Sequence, residues 1–422
     1  MDWTVKKFGN FLRPFEYIVI ACGYILMVVM IWLLARFTYI YTTSNIAREI
    51  KIPPILPLFP YATDLFKVDF LPPFYFTYWI VIIAIIAVSH EFAHGIFARL
   101  HKIRIHSTGF GFLGPFLAAF VEPDEKQMQK SSKKNQLSIL AAGTFANVLM
   151  TILFGIIMVA FFTASFAPAG INFNVYPQAV VASNSIDSIN GNLIDGLADA
   201  EQYLKTEELN EIIVDNTAYL VPSENIKTAI EDNIGQINVF EDAPAIRNDF
   251  KGPILEINGE RITSQMELRE ELGKYNRGDI VKITTLDEND EKIIKEIELD
   301  EREGRGYLGV GFATPPQKGI SGFFYSLLAK FKDPMIYYEP IFDGNFSWFI
   351  YNLLWWTVLI NISVALINML PVGIFDGGRF FYLTIWGITG SEKLGKRLFA
   401  AATWLILAVL VWVMLKWAFA FF

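Results

Sequence analysis

Phe74-Tyr-Phe-Thr-Tyr-Trp-Ile-Val-Ile-Ile-Ala-Ile-Ile-Ala-Val88-Ser89-His90-Glu91-Phe92-Ala93-His94 joins an uncharged apolar run to two histidines and a glutamate. The run is too apolar for anything but a membrane span. On a helix, His-Glu-x-x-His sets two imidazoles one turn apart on one face, the spacing that grips a zinc ion. The intervening Glu91 then stands beside the metal as a candidate general base. At about 1.5 Å per residue, His90 lies roughly 24 Å beyond Phe74, still within the hydrocarbon toward the cytoplasmic side. Two imidazoles and a carboxylate at that depth are costly to bury, so they point to something they bind.

The rest of the chain supports a membrane reading. Hydrophobic residues make up 53% of the 422 residues, and the mean hydropathy is +0.37, well above a typical soluble domain. Trp32, Trp79, Trp348, Trp412 and Trp417 lie in or beside apolar runs, as in interfacial belts. Cys22 is the single cysteine, so no intramolecular disulfide forms. A net charge of −8 without a basic tract argues against nucleic acid as a partner.

Apolar stretches at Phe15–Phe37, Phe74–Leu100, Leu137–Phe166, Trp348–Leu370 and Leu398–Phe421 are long enough to span about 30 Å of hydrocarbon. A sixth, Ile374–Ile388, is interrupted by Asp376, Gly377, Gly378 and Arg379. The first lacks a small-residue cleavage site and reads as a retained anchor rather than a signal peptide. The segment Arg99–Gln136 holds seven basic residues against three acidic ones. Residues 164–320 hold 29 acidic and 14 basic residues. The basic segment is therefore expected in the cytoplasm with the N-terminus, and the acidic region outside.

Between Ala169 and Phe312 the pattern turns to short β-rich runs and charged helical stretches. Ile254-Leu-Glu-Ile257-Asn258-Gly259-Glu260-Arg261-Ile262 reads as strand, Asn-Gly turn and strand. A helix over Met266–Leu272 follows, then strands Ile280–Leu286 and Lys292–Leu299. This order resembles a PDZ domain. Ile186-Asp-Ser-Ile189-Asn190-Gly191-Asn-Leu-Ile194 repeats the turn pattern 68 residues earlier, followed by a helix-like Ala198–Leu204. One or two PDZ-like units are expected, binding peptide termini or extended peptides by strand addition.

A catalytic zinc usually takes three protein ligands. His101 and His106 lie in a basic, solvated stretch and are poor candidates for the third. Asp376 is better placed, an isolated carboxylate in Asn368-Met-Leu-Pro371-Val-Gly373-Ile-Phe375-Asp376-Gly377-Gly378-Arg379. The plain alternative is an interfacial Asp paired with Arg379. Asp376 is too far from Trp348 for one straight helix, so the helix must begin later, tilt, or unwind at Pro371.

His-Glu-x-x-His in one apolar helix, with a distant Asn-x-x-Pro-(x)4-Asp-Gly in another, resembles the site-2 protease family of intramembrane zinc metalloproteases. The likeness runs from about residue 74 onward, and the inserted PDZ-like region is similar to its PDZ-bearing members. Phe375 and Gly373 stand where Leu and a second Pro are common. The resemblance implies Zn2+ held by His90, His94 and Asp376, with Glu91 as the base. It also implies a re-entrant β-hairpin over residues 109–121, with Gly109, Gly111 and Gly114, presenting an edge to unwound substrate. Asn147 and Asn368 are expected as polar contacts near the site or to substrate. For Asn147, helix–helix hydrogen bonding beside Gly143 is the equal alternative.

The expected fold class is thus an α-helical polytopic membrane protein of about five to six transmembrane segments, with an inserted extracytoplasmic α+β PDZ-like domain. Its parts are an N-terminal anchor (1–40), a first catalytic membrane part (70–166), the PDZ-like region (167–315, in two units about 170–240 and 241–315) and a second membrane part (320–422). The implied activity is hydrolysis of peptide bonds within transmembrane segments, in regulated intramembrane proteolysis. Its partners are the lipid bilayer and transmembrane substrates, some already trimmed by another protease. A transporter could also bury His, Glu and Asp, but no inverted repeat is visible. A proteolytically inactive PDZ-bearing scaffold would not need Glu91 between the histidines.

Overall fold

In hydrocarbon every backbone N–H and C=O must be satisfied within the chain, so apolar runs of this length fold as helices. The computed structural model describes residues 1–43, 53–54, 58–68, 70–113, 116–205, 209–287, 289–314, 322, 326 and 329–419. Among these, the helices Asp2–Thr43, Phe76–Leu100, Lys133–Ser165, Gly344–Asn368 and Glu392–Phe419 are long and apolar enough to cross a membrane. With its separate sheet-bearing region, the protein is a polytopic integral membrane protein with an α+β part. The chain divides into a helical unit (Met1–Ala164 and Asn345–Phe422) and a second unit, Ser165–Gly344.

In the helical unit the motif helix Phe76–Leu100 packs at both ends. Phe74, Tyr78, Trp79 and Ile82 cluster with Trp356 and Ile360 of the fourth span. At the other end Phe97, Ala98 and Leu100 join Val19, Leu26, Ile139, Ala141, Met369 and Phe380 in one core. Small residues let these helices approach. A Cβ on Gly23 would stand 3.0 Å from Ala141 Cβ and 3.2 Å from the Phe380 ring. The first helix is also tied by polar contacts. Tyr24 Oη lies 2.9 Å from Thr384 Oγ1, and the buried Glu16 carboxylate lies 3.1 Å from Lys134 Nζ and 3.8 Å from His101 Nε2.

Between the second and third spans the chain forms a hairpin, β1 (Ile105–Leu113) and β2 (Phe116–Pro123). It is longer than the expected 109–121, because pairing continues out to Ile105↔Pro123 and Ser107 Oγ donates to Glu122 Oε2.

The fourth span does not run on to Asp376. It ends at Asn368, where Met369 N and Leu370 N donate to the carbonyls three residues back at 3.1 and 3.0 Å. Pro371 then has no N–H to continue the ladder. A new helix, Asp376–Thr389, starts with Asp376 in its first turn. Gly377 and Gly378 allow this restart. A Cβ on Gly377 would press on the Met369 carbonyl carbon and stand 2.5 Å from Leu370 O, and one on Gly378 would stand 2.8 Å from the Val372 carbonyl carbon.

The second unit is built on antiparallel sheets. Strands β3 (Phe166–Ile171) and β14 (Ile336–Pro340) pair where the chain enters and leaves it. A six-stranded sheet follows in the order β4-β9-β8-β7-β5-β6, from β4 (Gln178–Ala182), β5 (Ile186–Ile189), β6 (Asn192–Leu193), β7 (Leu209–Val214), β8 (Thr217–Pro222) and β9 (Gln236–Glu241). A four-stranded sheet has the order β11-β10-β12-β13, from β10 (Glu256–Ile257), β11 (Glu260–Arg261), β12 (Ile280–Leu286) and β13 (Lys292–Glu298). Each sheet has its own core, one around Ile189, Ile212, Val221 and Ile226, the other around Phe250, Ile257, Val281 and Ile283.

Both Asn-Gly turns take left-handed backbone at each central residue, φ 48° and 80° at Asn190-Gly191 and 50° and 87° at Asn258-Gly259, the geometry that two-residue hairpins require. The helix-like Ala198–Leu204 is a 3-10 turn, Leu197–Tyr203. Asn190 Nδ2 donates to the Tyr203 carbonyl at 2.8 Å, and Lys205 N donates to Asn210 Oδ1 at 2.8 Å, so side chains compete for the backbone groups a longer helix would need.

Gly377→Ala tests the restart. Overpacking against backbone that cannot yield should cost about 1–3 kcal/mol, read as a lower thermal unfolding midpoint of the detergent-solubilised protein. Gly111→Ala, whose Cβ would meet nothing within 4 Å, should leave the midpoint unchanged. An unchanged midpoint in Gly377→Ala would show that the two turns do not need this contact.

Candidate metal centre

His90 and His94 lie one turn apart on the motif helix, and the restarted helix brings Asp376 to the same face. Asp376 Oδ2 is 3.3 Å from His90 Nε2 and 3.2 Å from His94 Nε2; the two Nε2 atoms are 3.0 Å apart. These edges compare with the roughly 3.3 Å between ligand atoms of a tetrahedral ion with bonds of about 2.0 Å. Glu91 belongs to the same cluster, its carboxylate within 4.8 Å of the imidazole nitrogens.

Hydrogen bonding identifies which atoms carry lone pairs. His94 Nδ1 lies 2.7 Å from the Ile139 carbonyl. A carbonyl only accepts, so this nitrogen carries the proton and Nε2 of the neutral ring presents a lone pair toward Asp376. His90 Nδ1 faces Asn147 Nδ2 at 3.1 Å, while Asn147 Oδ1 is buried without a partner. Ligation through His90 Nε2 requires the amide turned end for end, so that Oδ1 accepts from His90 Nδ1–H and His90 Nε2 is left as a lone pair. Two imidazole lone pairs and a carboxylate oxygen then converge on one point. With both Nε2 atoms unprotonated, the lone pairs opposed at 3.0–3.3 Å repel and are satisfied by a cation. Two imidazoles and one carboxylate are a donor set suited to zinc, leaving a position for water or substrate.

The third span supplies the roof. A Cβ on Gly143 would press on His94 Nε2 and stand 2.5 Å from His90 Nε2 and 2.6 Å from its Cε1, against both rings. Only glycine leaves room for the two imidazoles. The cleft over the site, about 470 Å3, is lined by Asn368, Phe375, Arg379, Glu125 and Val121 together with the cluster. Arg379 reaches Glu125, 3.2 Å to each carboxylate oxygen, so the alternative pairing of Asp376 with Arg379 is not formed.

Of the residues singled out in the sequence, His90, Glu91, His94, Asp376 and Asn147 come together. Asn368 lines the same cleft at its rim. Gly109 lies under Phe120, its virtual Cβ 3.3 Å from the ring. Gly111 faces open space, and Gly114 lies outside the described residues. His101 and His106 sit elsewhere, on Ser138 at 2.9 Å and on Asp124 at 3.4 Å. Sequence reasoning missed the blocking role of Gly143, the Ile139 carbonyl and the Val121 amide, which donates to Glu91 Oε2 at 3.2 Å. The small-residue run Ala141-Ala142-Gly143 was the one available signal, since backbone groups leave none.

Two substitutions test this cradle by metal content. Gly143→Ala should abolish stoichiometric zinc, because its methyl would push both imidazoles out of place. Asn147→Leu should weaken zinc binding about 10–100-fold, as loss of a partner to a ligating histidine does. Full zinc in Gly143→Ala would place the ion elsewhere.

No curated protein matches the chain. The sequence profile of Peptidase family M50 matches residues 78–414, most of the chain and every residue of the cluster. Its members, the site-2 protease group, are membrane zinc metalloproteases. The first helix, Asp2–Thr43, lies outside the matched range. The chain belongs to Peptidase family M50 and is a membrane metallopeptidase.

Proposed function

We propose that the protein is an intramembrane zinc endopeptidase that cuts peptide bonds within transmembrane segments, in regulated intramembrane proteolysis. The observation that carries this reading is the convergence of His90 Nε2, His94 Nε2 and Asp376 Oδ2 within 3.0–3.3 Å of one another, beside Glu91. These three residues would hold Zn2+. When bound, zinc supplies a Lewis acid that polarises the scissile carbonyl and eases deprotonation of the attacking water.

Glu91 takes the proton from that water as its oxygen bonds to the carbonyl carbon. It then delivers the proton to the departing amine as the C–N bond breaks. Asn147 fixes the His90 ring and the Ile139 carbonyl fixes that of His94, so both imidazoles keep one tautomer. Asn368, which lines the cleft, would contact the substrate backbone. A helical substrate hides its amides in its own hydrogen bonds, so it must unwind locally. The edge of β2 is where the opened chain can pair.

The charge bias puts the N-terminus, the hairpin and the metal centre toward the cytoplasm and the second unit outside. We read that unit as PDZ-like, in one or two copies, taking peptide termini or extended peptides from substrates, some pre-trimmed by another protease. Its two Asn-Gly hairpins and its two separate cores support that reading.

Cleavage of a tagged transmembrane helix by the purified protein, measured with its zinc content, tests the assignment. Glu91→Gln should lose about 10²–10⁴-fold in rate while keeping zinc, and Asp376→Ala should lose both. Full activity in Glu91→Gln would end the mechanism, and zinc retained in Asp376→Ala would remove Asp376 from the ligand set.

A further inference from the structure

The hydrogen bond from Val121 N to Glu91 Oε2, 3.2 Å, joins the catalytic cluster to the backbone of the hairpin. In an antiparallel pair, each residue sends both its N–H and its C=O either toward the partner strand or away from it, and the two kinds alternate. Val121 is paired with Thr108 and Phe120 with Gly109. Since the Val121 N–H points to Glu91, Val121 and Ala119 face away from β1, while Phe120 and Glu122 hold the ladder. The free edge of β2 therefore offers a complete N–H and C=O set at Ala119. At Val121 its donor is already taken.

Two clefts meet at this point. A groove of about 740 Å3 runs along the hairpin and the motif helix, lined by Val88, Phe92, Phe110, Ala119 and Phe120. The metal cleft lies beyond it, and Glu91 and Val121 line both. A strand laid along the free edge reaches the next outward-facing position, about 7 Å on, at the carboxylate of Glu91.

Within the reading of the chain as a protease whose substrate strand joins the hairpin, we propose that the Val121 amide is a positioning group that sets the cleavage register. It anchors Glu91 at the end of the free edge, so that substrate pairing stops at Ala119 and the peptide bond that follows is delivered to the base. Glu91 thus acts both as the base and as the stop that ends the ladder. In this role the Val121 amide acts through Glu91 and not on the substrate or the metal directly.

The ladder to β1 does not use the Val121 N–H, so Val121→Pro removes the donor while leaving the hairpin paired. An ester in place of the amide at position 121 removes the same N–H without a ring, should the proline disturb folding. Val121→Ala keeps the donor and serves as the rescue. Ala119→Pro removes the N–H that faces substrate.

With zinc content matched, the proline or ester at 121 should lower kcat about tenfold or more with KM within about twofold. It should also spread cleavage over neighbouring bonds. Val121→Ala should cut as the wild type does, at one principal bond. Ala119→Pro should raise KM about tenfold without moving the cut, and should weaken binding of the same substrate to zinc-free protein, which the changes at 121 should not. Wild-type kcat and a single cut in the ester variant would overturn the proposal, as would weakened zinc-free binding in that variant. A wild type that holds no zinc and cuts nothing would instead defeat the protease reading itself.

Discussion

Three lone-pair donors forced onto one point inside an apolar bundle are the constraint on which the rest of the structure depends. In water, His90, His94 and Asp376 would turn apart and hydrate. Here the motif helix fixes two of them and a helix start fixes the third, while the third span closes over them. Glycine at 143 leaves room for both imidazole rings. The same packing that buries the donors therefore creates the demand for a cation, because a dry site holding uncompensated lone pairs and a carboxylate would be costly.

The broken helix at Met369–Phe375 follows from that demand. A continuous span through Pro371 would carry Asp376 past the histidines, whereas ending the helix at Asn368 and restarting it at Asp376 turns the carboxylate back to them. The interruption exposes backbone at depth, which a bilayer tolerates only where protein covers it. Gly377 and Gly378 let the first turn of the new helix lie directly on the carbonyls of Met369, Leu370 and Val372. The hairpin solves a related problem. It is too short to cross the membrane, and its free edge is partly satisfied by a side chain of the motif helix, the Glu91 carboxylate on Val121.

The second unit obeys more local rules. Its two Asn-Gly turns take the left-handed backbone that their sequence favours, and β12 alternates between buried and more exposed residues from Ile280 to Thr285. Such features are set by neighbours in the chain, and they could be read without the fold. The 3-10 turn at Leu197–Tyr203 could not, because the groups that shape it come from Asn190, in a hairpin turn, and Asn210, on β7, which reach it only after folding.

The sequence by itself determined the spans, the His-Glu-x-x-His face, the Asn-Gly hairpins and the choice of Asp376 as the distant carboxylate. Each rests on a short-range period, a turn preference or the price of a charge in an apolar run. Tertiary structure alone decided that Asp376 meets both imidazoles, that Arg379 turns to Glu125 instead, that Gly143 leaves room for the two rings, and that a backbone amide holds the base. Those four outcomes depend on which helices cross and where their carbonyls and Cα atoms fall. A pattern of side chains along one segment carries no record of the backbone that will later lie against it.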